Sequence, residues 1–222
     1  ITDKLYYRRS GDWKWFNIPD LGHYDPHTDL FTLAVDPSDA GHVFAGSWGT
    51  GLYEGQNYNT TAYQYLLPDI DSNTSAASLK YRIGGMAFDE GRNLWFSNSN
   101  TTTQLKVRKS NNTFGIPVAL TGTTNGSTIG KVAVDQLNQV WVAVHGKGIV
   151  VVETNNGVAT GYQRLLSSTY NQGDLPQLTV RAIECDLDGQ IWVGTHDGIR
   201  IFSPSQVFPT STIINGQKIV PR

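Results

Sequence analysis

The 222-residue chain combines 39% hydrophobic and 11% aromatic residues with 23 glycines and only 16% charged residues. This composition favours strands and tight turns over helices, while the length alone leaves the number of domains open. A formal net charge of −2, without a cluster of Lys and Arg, argues against a nucleic-acid-binding protein. No run of about 18 apolar residues is present, so the sequence predicts no membrane span, and the start of the chain leaves the compartment open.

Residues 4–19 have the pattern of two strands, and four related segments follow, which begin at Leu30, Ile83, Ile129 and Val180. In each segment an apolar strand ends in Asp, a short turn follows, and a second strand carries an aromatic residue. The aspartates are Asp36, Asp89, Asp135 and Asp186, and the aromatic residues are Phe44, Trp95, Trp141 and Trp192. The aspartates recur at intervals of about 50 residues, which is close to the period of propeller blades.

Each repeat is predicted to open with a hairpin, because its Asp can accept hydrogen bonds from backbone N–H groups two residues further on. Glu90-Gly91 and Asp188-Gly189 supply suitable turn residues. Third strands are predicted from Gly51, Gln104, Gly148 and Gly198. Fourth strands are predicted at residues 63–67, 116–120 and 162–166, with a weaker one near 212–214. Four strands per repeat are typical of a propeller blade.

The first strand of each repeat is apolar at nearly every position, as at residues 33–35 and 132–134. Such strands are covered on both faces, and stacked blades provide that cover for their inner strands. We therefore expect the aromatic column to pack between neighbouring blades.

The sequence thus predicts an all-β fold, a β-propeller arc of about four four-stranded blades at residues 30–68, 83–121, 129–167 and 180–214. Residues 1–20 are interpreted as the end of a preceding blade. Known rings close with about 4–8 blades, and the chain stops soon after a turn signal at Asn215-Gly216. We therefore interpret residues 1–222 as a partial propeller, a fragment of a ring of six to eight blades.

The stretch VRAIECDLDGQIWVGTHDGIRIFSP, from Val180 to Pro204, resembles the two-component regulator propeller repeat, with its D-x-D/N-G turn and its W-V-G-T strand. A second stretch, TLAVDPSDAGHVFAGSWGTGLYEG from Thr32, resembles the repeats of Asp-box propellers of the sialidase and sortilin type but lacks their full motif. This second resemblance implies a similar shape and no shared activity.

Over most of its length, including YQRLLSSTYNQGDLP before Val180 and INGQKIVPR at the end, the chain is similar to PorZ-like propeller proteins of Bacteroidota. The resemblance implies a non-enzymatic, extracytoplasmic scaffold at the outer-membrane surface, in the attachment complex of type IX secretion. Its implied partners are envelope or secretion-system proteins and an anionic glycan such as lipopolysaccharide. The alternative is the periplasmic sensor propeller of a hybrid two-component histidine kinase, which would bind an oligosaccharide and shift a conformational population.

Alignment of the repeats places Trp48, Ser99, His145 and His196 in one column at the end of the second strand. The two histidines would need a further ligand to hold a divalent ion, and Asp197 is the one evident carboxylate. Polar residues facing solvent explain the column better, so the sequence predicts no metal site and no cofactor. Trp48, His145, His196 and Asp197 are kept as candidate ligand-binding residues.

Arg82, Lys131 and Arg181 fall near the start of the inner strands, close to the predicted channel mouth. Three cations there would collect a phosphate or a uronic acid, because Arg offers a bidentate fork and Lys a point charge. Ion pairs with nearby Asp or Glu are the alternative explanation.

No catalytic residue is predicted, because the four repeat aspartates lie a blade apart in their turns and no motif of a nucleophile or a phosphate loop is present. A lyase or glycosidase would need a cluster of carboxylates, Tyr or His at the channel mouth. Cys185, the single cysteine, excludes an internal disulfide and aligns with apolar residues, which predicts a small buried hydrophobic side chain. Glu184 interrupts another apolar column and must reach channel water or a cation such as Arg181.

Overall fold

A computed structural model describes residues 4–9, 11–17, 29–56, 63–65, 81–208 and 213–219. Within these ranges the regular structure consists of strands and one short 3₁₀ helix, Pro204–Gln206, which confirms the predicted all-β class. The same residues contain no helix long and apolar enough to cross a membrane.

The strands form an N-terminal hairpin and four successive antiparallel sheets. The hairpin consists of β1 (Lys4–Arg9) and β2 (Asp12–Asn17). The first sheet consists of β3 (Leu30–Asp36), β4 (Asp39–Ser47), β5 (Leu52–Gly55) and β6 (Tyr63–Tyr65). The second sheet consists of β7 (Met86–Phe88), β8 (Leu94–Ser97) and β9 (Leu105–Arg108). The third sheet consists of β10 (Ile129–Val134), β11 (Val140–Val144), β12 (Gly148–Asn155) and β13 (Val158–Leu166).

The fourth sheet is accompanied by a short parallel pair, whose first strand precedes the sheet and whose second strand comes just before its last strand. The strands of this region are β14 (Gln172–Gly173), β15 (Val180–Cys185), β16 (Ile191–Thr195), β17 (Gly198–Phe202), β18 (Ile214–Asn215) and β19 (Gln217–Lys218). The sheet has the order β15-β16-β17-β19, while β14 and β18 pair in parallel.

The repeat aspartates close the inner hairpins as predicted. Oδ1 of Asp135 accepts hydrogen bonds from the backbone N–H groups of Leu137 and Gln139 at 2.8 and 2.9 Å. Equivalent bonds are made by Asp36, Asp89 and Asp186. In the second hairpin the residue with a left-handed backbone is Arg92 (φ 61°), next to the turn residue Gly91.

Three apolar cores separate the four sheets, and the inner strands β3, β7, β10 and β15 lie side by side in that order. Phe44 lies in the core between the first and second sheets, Trp95 in the next core and Trp141 in the third. The predicted aromatic column is therefore confirmed for these three residues. Trp192, on the far side of the fourth sheet, is 38% exposed, and the described sheets form an open arc.

The prediction that inner strands are covered on both faces is correct for β10 but wrong for β3. Leu33 and Val35 are half exposed, because they alternate with Ala34, which packs against the core shared with the second sheet. Only one face of β3 thus contacts a described neighbouring sheet.

The fourth strands differ from prediction in two sheets. At residues 116–120 a continuous strand is replaced by isolated bridges of Phe114 and Val118 to β9, because Pro117 cannot donate to a ladder. In the last repeat the fourth strand is β19, beyond the predicted residues 212–214. Ile214 is instead buried in the core between the third and fourth sheets, and residue 212 lies outside the described residues. The predicted fourth strands at 63–67 and 162–166 correspond to β6, as far as residue 65, and to the second half of β13.

Candidate ligand-binding site

A cavity of about 770 Å³ opens where the inner strands of the first, third and fourth sheets begin. The strands β3, β10 and β15 start at this edge, and β4 and β11 end there, because each hairpin is antiparallel. The cavity gathers four of the predicted ligand-binding residues: Trp48, Lys131, His145 and Arg181. Asp29 and Phe31 line it as well, and sequence reasoning missed both.

Two aromatic rings form one wall of the cavity. The ring centroids of Phe31 and Trp48 are 5.2 Å apart, with 40° between their planes. The backbone N–H of Trp48 donates to the carbonyl oxygen of Asp29 at 3.0 Å, which joins the end of β4 to the start of β3. A partly exposed aromatic pair of this kind offers an apolar surface on which a flat ligand can stack.

Two cations from other sheets line the same cavity. Lys131, in β10, places Nζ 5.5 Å from the centroid of the Phe31 ring, a cation–π distance. Arg181, at the start of β15, is exposed. Among the described residues, no carboxylate lies within ion-pair distance of either Lys131 or Arg181. The alternative of structural ion pairing is therefore not seen for these two cations, and Glu184, also exposed, is not paired with Arg181.

The remaining predicted residues lie outside this cavity. Arg82 is only partly exposed, with its Nε buried and without a hydrogen-bond partner in the described structure. Its carbonyl oxygen accepts a bond from the N–H of Ser99, whose hydroxyl is fixed to the backbone of Ile129. The backbone of this segment is also bound to the first sheet, because the N–H of Ile83 donates to the carbonyl oxygen of Ser47 at 2.8 Å, and Arg82 does not line the cavity.

His196 and Asp197 pair with each other, Nδ1 to Oδ1 at 3.0 Å, on the surface. The His196 side chain is 82% exposed, and neither residue lines the cavity that contains His145. Within the described ranges no group of three or more His, Cys, Asp or Glu is arranged to hold a metal ion.

A second groove, of about 410 Å³, runs along the inner strands and contains Leu33, Phe88, Val134 and Cys185. Cys185 packs against the core between the third and fourth sheets, and burial raises the pKa of its thiol. A raised pKa keeps the thiol protonated, and the side chain is partly rather than fully buried, unlike the prediction.

Known structures that resemble this chain are β-propellers of low sequence identity. PorZ, a bacterial surface component of the type IX secretion system of Porphyromonas gingivalis, is 19% identical with a TM-score of 0.74, and the match covers 95% of this chain and 30% of that chain. The extracellular domain of a hybrid two-component system of B. thetaiotaomicron is 16% identical with a TM-score of 0.66, covering 94% and 27%. Virginiamycin B lyase from Staphylococcus aureus is 14% identical with a TM-score of 0.66, covering 99% and 64%.

At these identities the comparisons establish the β-propeller fold, and PorZ and the sensor domains are the kinds of protein that the sequence resembles. The chain spans less than a third of the PorZ and two-component structures. No protein-family model and no curated protein matches the chain.

Proposed function

We propose that this chain is part of a non-catalytic, extracytoplasmic propeller scaffold that holds partner proteins of the cell envelope, as in type IX secretion, and binds an anionic glycan. The observation that carries the glycan site is the aromatic pair Phe31 and Trp48 in one cavity with Lys131 and Arg181. The extracytoplasmic location is supported by the PorZ surface component and the extracellular sensor domains among the similar structures.

The chemistry of the cavity fits a sugar acid or a phosphorylated sugar. The C–H face of a sugar ring would stack on Phe31 and Trp48, and its carboxylate or phosphate would accept hydrogen bonds from Arg181 in a bidentate arrangement. Lys131 adds a point charge that attracts the same anion.

The lining of the cavity supports binding rather than catalysis. Among the described lining residues, Asp29 is the one carboxylate and His145 the one imidazole, and they come from different sheets. Glycoside hydrolysis ordinarily requires two carboxylates on either side of the scissile bond. The lyase among the similar structures shares the fold at 14% identity, so its activity is not transferred to this chain.

Calorimetric titration of the full-length protein with an oligogalacturonate, a neutral oligosaccharide of equal length and inorganic phosphate tests the glycan site. We expect the acidic sugar to bind, and Arg181→Ala to weaken its affinity by roughly tenfold or more, because a charge-assisted hydrogen bond is lost. His196→Ala is the control, since His196 is an exposed polar side chain outside the cavity. Equal affinity of Arg181→Ala and wild type would overturn the site, and turnover of the sugar would overturn the non-catalytic assignment.

Capture of the full-length protein from its own envelope tests the partner proposal separately. Recovery of secretion-system proteins supports the scaffold. Recovery of a kinase without secretion components favours the second candidate, a ligand-sensing propeller of a hybrid two-component system, which the similarity to the B. thetaiotaomicron extracellular domain supports.

A further inference from the structure

The interface between the first and second sheets contains a charge network that crosses from one sheet to the other. Arg92 donates to both carboxylate oxygens of Asp36, from Nε at 3.1 Å and from Nη2 at 2.7 Å. Arg108 donates from Nη2 to both oxygens of Glu54, at 2.9 and 2.8 Å. Asp36 and Glu54 belong to the first sheet, whereas the two arginines belong to the second. Asp36, Glu54 and Arg108 are buried, so these contacts lie inside the interface.

His42 connects the two carboxylates of this network. Its Nδ1 lies 3.1 Å from Oδ2 of Asp36, and its Nε2 lies 2.6 Å from Oε1 of Glu54. A carboxylate oxygen only accepts, so both ring nitrogens must carry hydrogen for both contacts to be hydrogen bonds. The geometry therefore requires the imidazolium form, and loss of one proton sets a nitrogen lone pair against a carboxylate oxygen.

We propose that His42 is a pH-responsive joint within the first sheet, which ties Asp36 of β3 to Glu54 of β5 when protonated and loosens that contact when it loses a proton. The proposal goes beyond the proposed function, because it concerns the stability of the first sheet and the proton is its only ligand.

The other two interfaces provide the contrast. The cores between the second and third sheets and between the third and fourth are apolar, and there the repeat aspartates Asp89 and Asp135 are bound by Trp95 and Trp141 of their own sheet. Phe44 has no N–H to offer Asp36, and His42 and Arg92 bind that carboxylate instead. Among the described interfaces, a titratable side chain thus bridges two buried carboxylates only at the first.

The remaining charges around His42 determine the direction of the pH effect. The hydrogen bond with Glu54 raises the pKa of His42, opposed by burial and assisted by Asp36. Burial would raise the pKa of Asp36, but hydrogen bonds from Arg92, Ser38 and His42 hold it well below its usual range. Asp39 and Lys109, whose charges have opposite sign, line a small cavity together with His42. Asp36 therefore stays charged across neutral pH, whereas His42 loses its proton at a pH above the ordinary value of an imidazole.

A group with a raised pKa in the folded protein stabilises it fully below the ordinary value and loses that contribution as the pH rises through the raised value. The first sheet should accordingly be most stable on the acidic side of neutrality. Its strands should open locally more often in alkaline solution, while the arginine pairs to the second sheet persist.

Amide hydrogen exchange of the full-length protein between about pH 6 and about pH 9 tests this joint. We expect protection in β4 and β5, relative to β11 and β12 as the internal reference, to fall by about tenfold as the pH rises, the effect of losing one hydrogen bond to a charged group. In His42→Gln the ratio should be independent of pH, whereas His196→Gln, at an exposed position outside the cavity, should behave as wild type. A constant ratio in the wild-type protein would overturn the proposal.

A second measurement does not depend on the folding of a variant. The ring-nitrogen chemical shifts of His42 in the wild-type protein, followed by NMR, should show the doubly protonated ring persisting above the pH at which a histidine in an unfolded peptide titrates. Titration of His42 at or below the value of that peptide would overturn the proposal.

Discussion

Trp141 donates the hydrogen of its indole Nε1 to Oδ2 of Asp135 over 2.7 Å, and both side chains are buried. The same bond joins Trp95 to Asp89 at 2.9 Å and Trp192 to Asp186 at 2.6 Å. In each of these three repeats the aspartate thus uses one oxygen for the backbone of the turn and the other for the tryptophan of the next strand. The inner hairpin and the inter-sheet core are therefore fixed by a single carboxylate.

We predict that Trp141→Phe lowers the free energy of unfolding by about 1–3 kcal/mol, because a buried carboxylate oxygen loses its donor while most of the apolar contact is kept. Chemical denaturation followed by circular dichroism measures the change. Trp192→Phe is the matched control at an exposed position and should cost less. An equal loss in the two variants would show that the indole N–H is not the cause.

The pKa values of Asp135 and Asp186 should be shifted in opposite directions, although the two carboxylates accept the same kinds of hydrogen bond. Burial raises the pKa of Asp135, whereas the hydrogen bond from Trp192 lowers the pKa of the more accessible Asp186. Stability from Asp135 is thus greatest at low pH and decreases as the pH rises through its raised value, while stability from Asp186 is lost as the pH falls through its lowered value. Carboxyl carbon shifts followed by NMR should show Asp186 losing its proton first on raising the pH. The reverse order would contradict this prediction.

The repeats could be predicted from sequence because their signals are local. In three repeats the aspartate and the tryptophan are six residues apart, and both the turn and the core depend on that short segment. The candidate site was predicted in part, since Trp48, Lys131, His145 and Arg181 occupy equivalent ends of successive strands. Phe31 was missed, although it alternates with Leu30 and Thr32 and so shares the less covered face of β3 with Leu33.

The failures concern contacts between distant segments. Arg108 and Glu54 are separated by 54 residues. Phe44 lacks the N–H group that the tryptophans of its column donate, and the repeat pattern does not indicate which residues bind Asp36 instead. Arg82 was expected at the channel mouth, but it precedes β7, which starts only at Met86, and it does not line the cavity. The last strand was predicted at the wrong residues, because Ile214 is buried in the core and the chain joins the sheet only after it. This burial is a tertiary effect without a local sequence signal.

We predict that Arg108→Ala lowers the free energy of unfolding by about 3–5 kcal/mol, because it leaves the buried carboxylate of Glu54 without its arginine. Arg92→Ala should cost less, since the side chain of Arg92 is half exposed and its ion pair is screened by salt. Denaturation in low and high salt separates the two cases. A loss in Arg108→Ala that disappears in high salt would indicate a solvated rather than a buried pair.

The close approach of the second and third sheets should tolerate no side chain at Gly84. A Cβ atom there would lie 2.2 Å from the carbonyl oxygen of Ile129, whereas a Cβ at Gly130, in the same contact region, would lie 3.7 Å from its nearest neighbour. Gly84→Ala must therefore push two backbones apart, and we expect it to lower the free energy of unfolding by about 1–3 kcal/mol or more. Gly130→Ala is the matched control and should change stability far less. Thermal denaturation of both variants measures the difference, and equal midpoints would mean that the sheets can separate at this point without loss, contrary to the packing of Ser99 on Ile129.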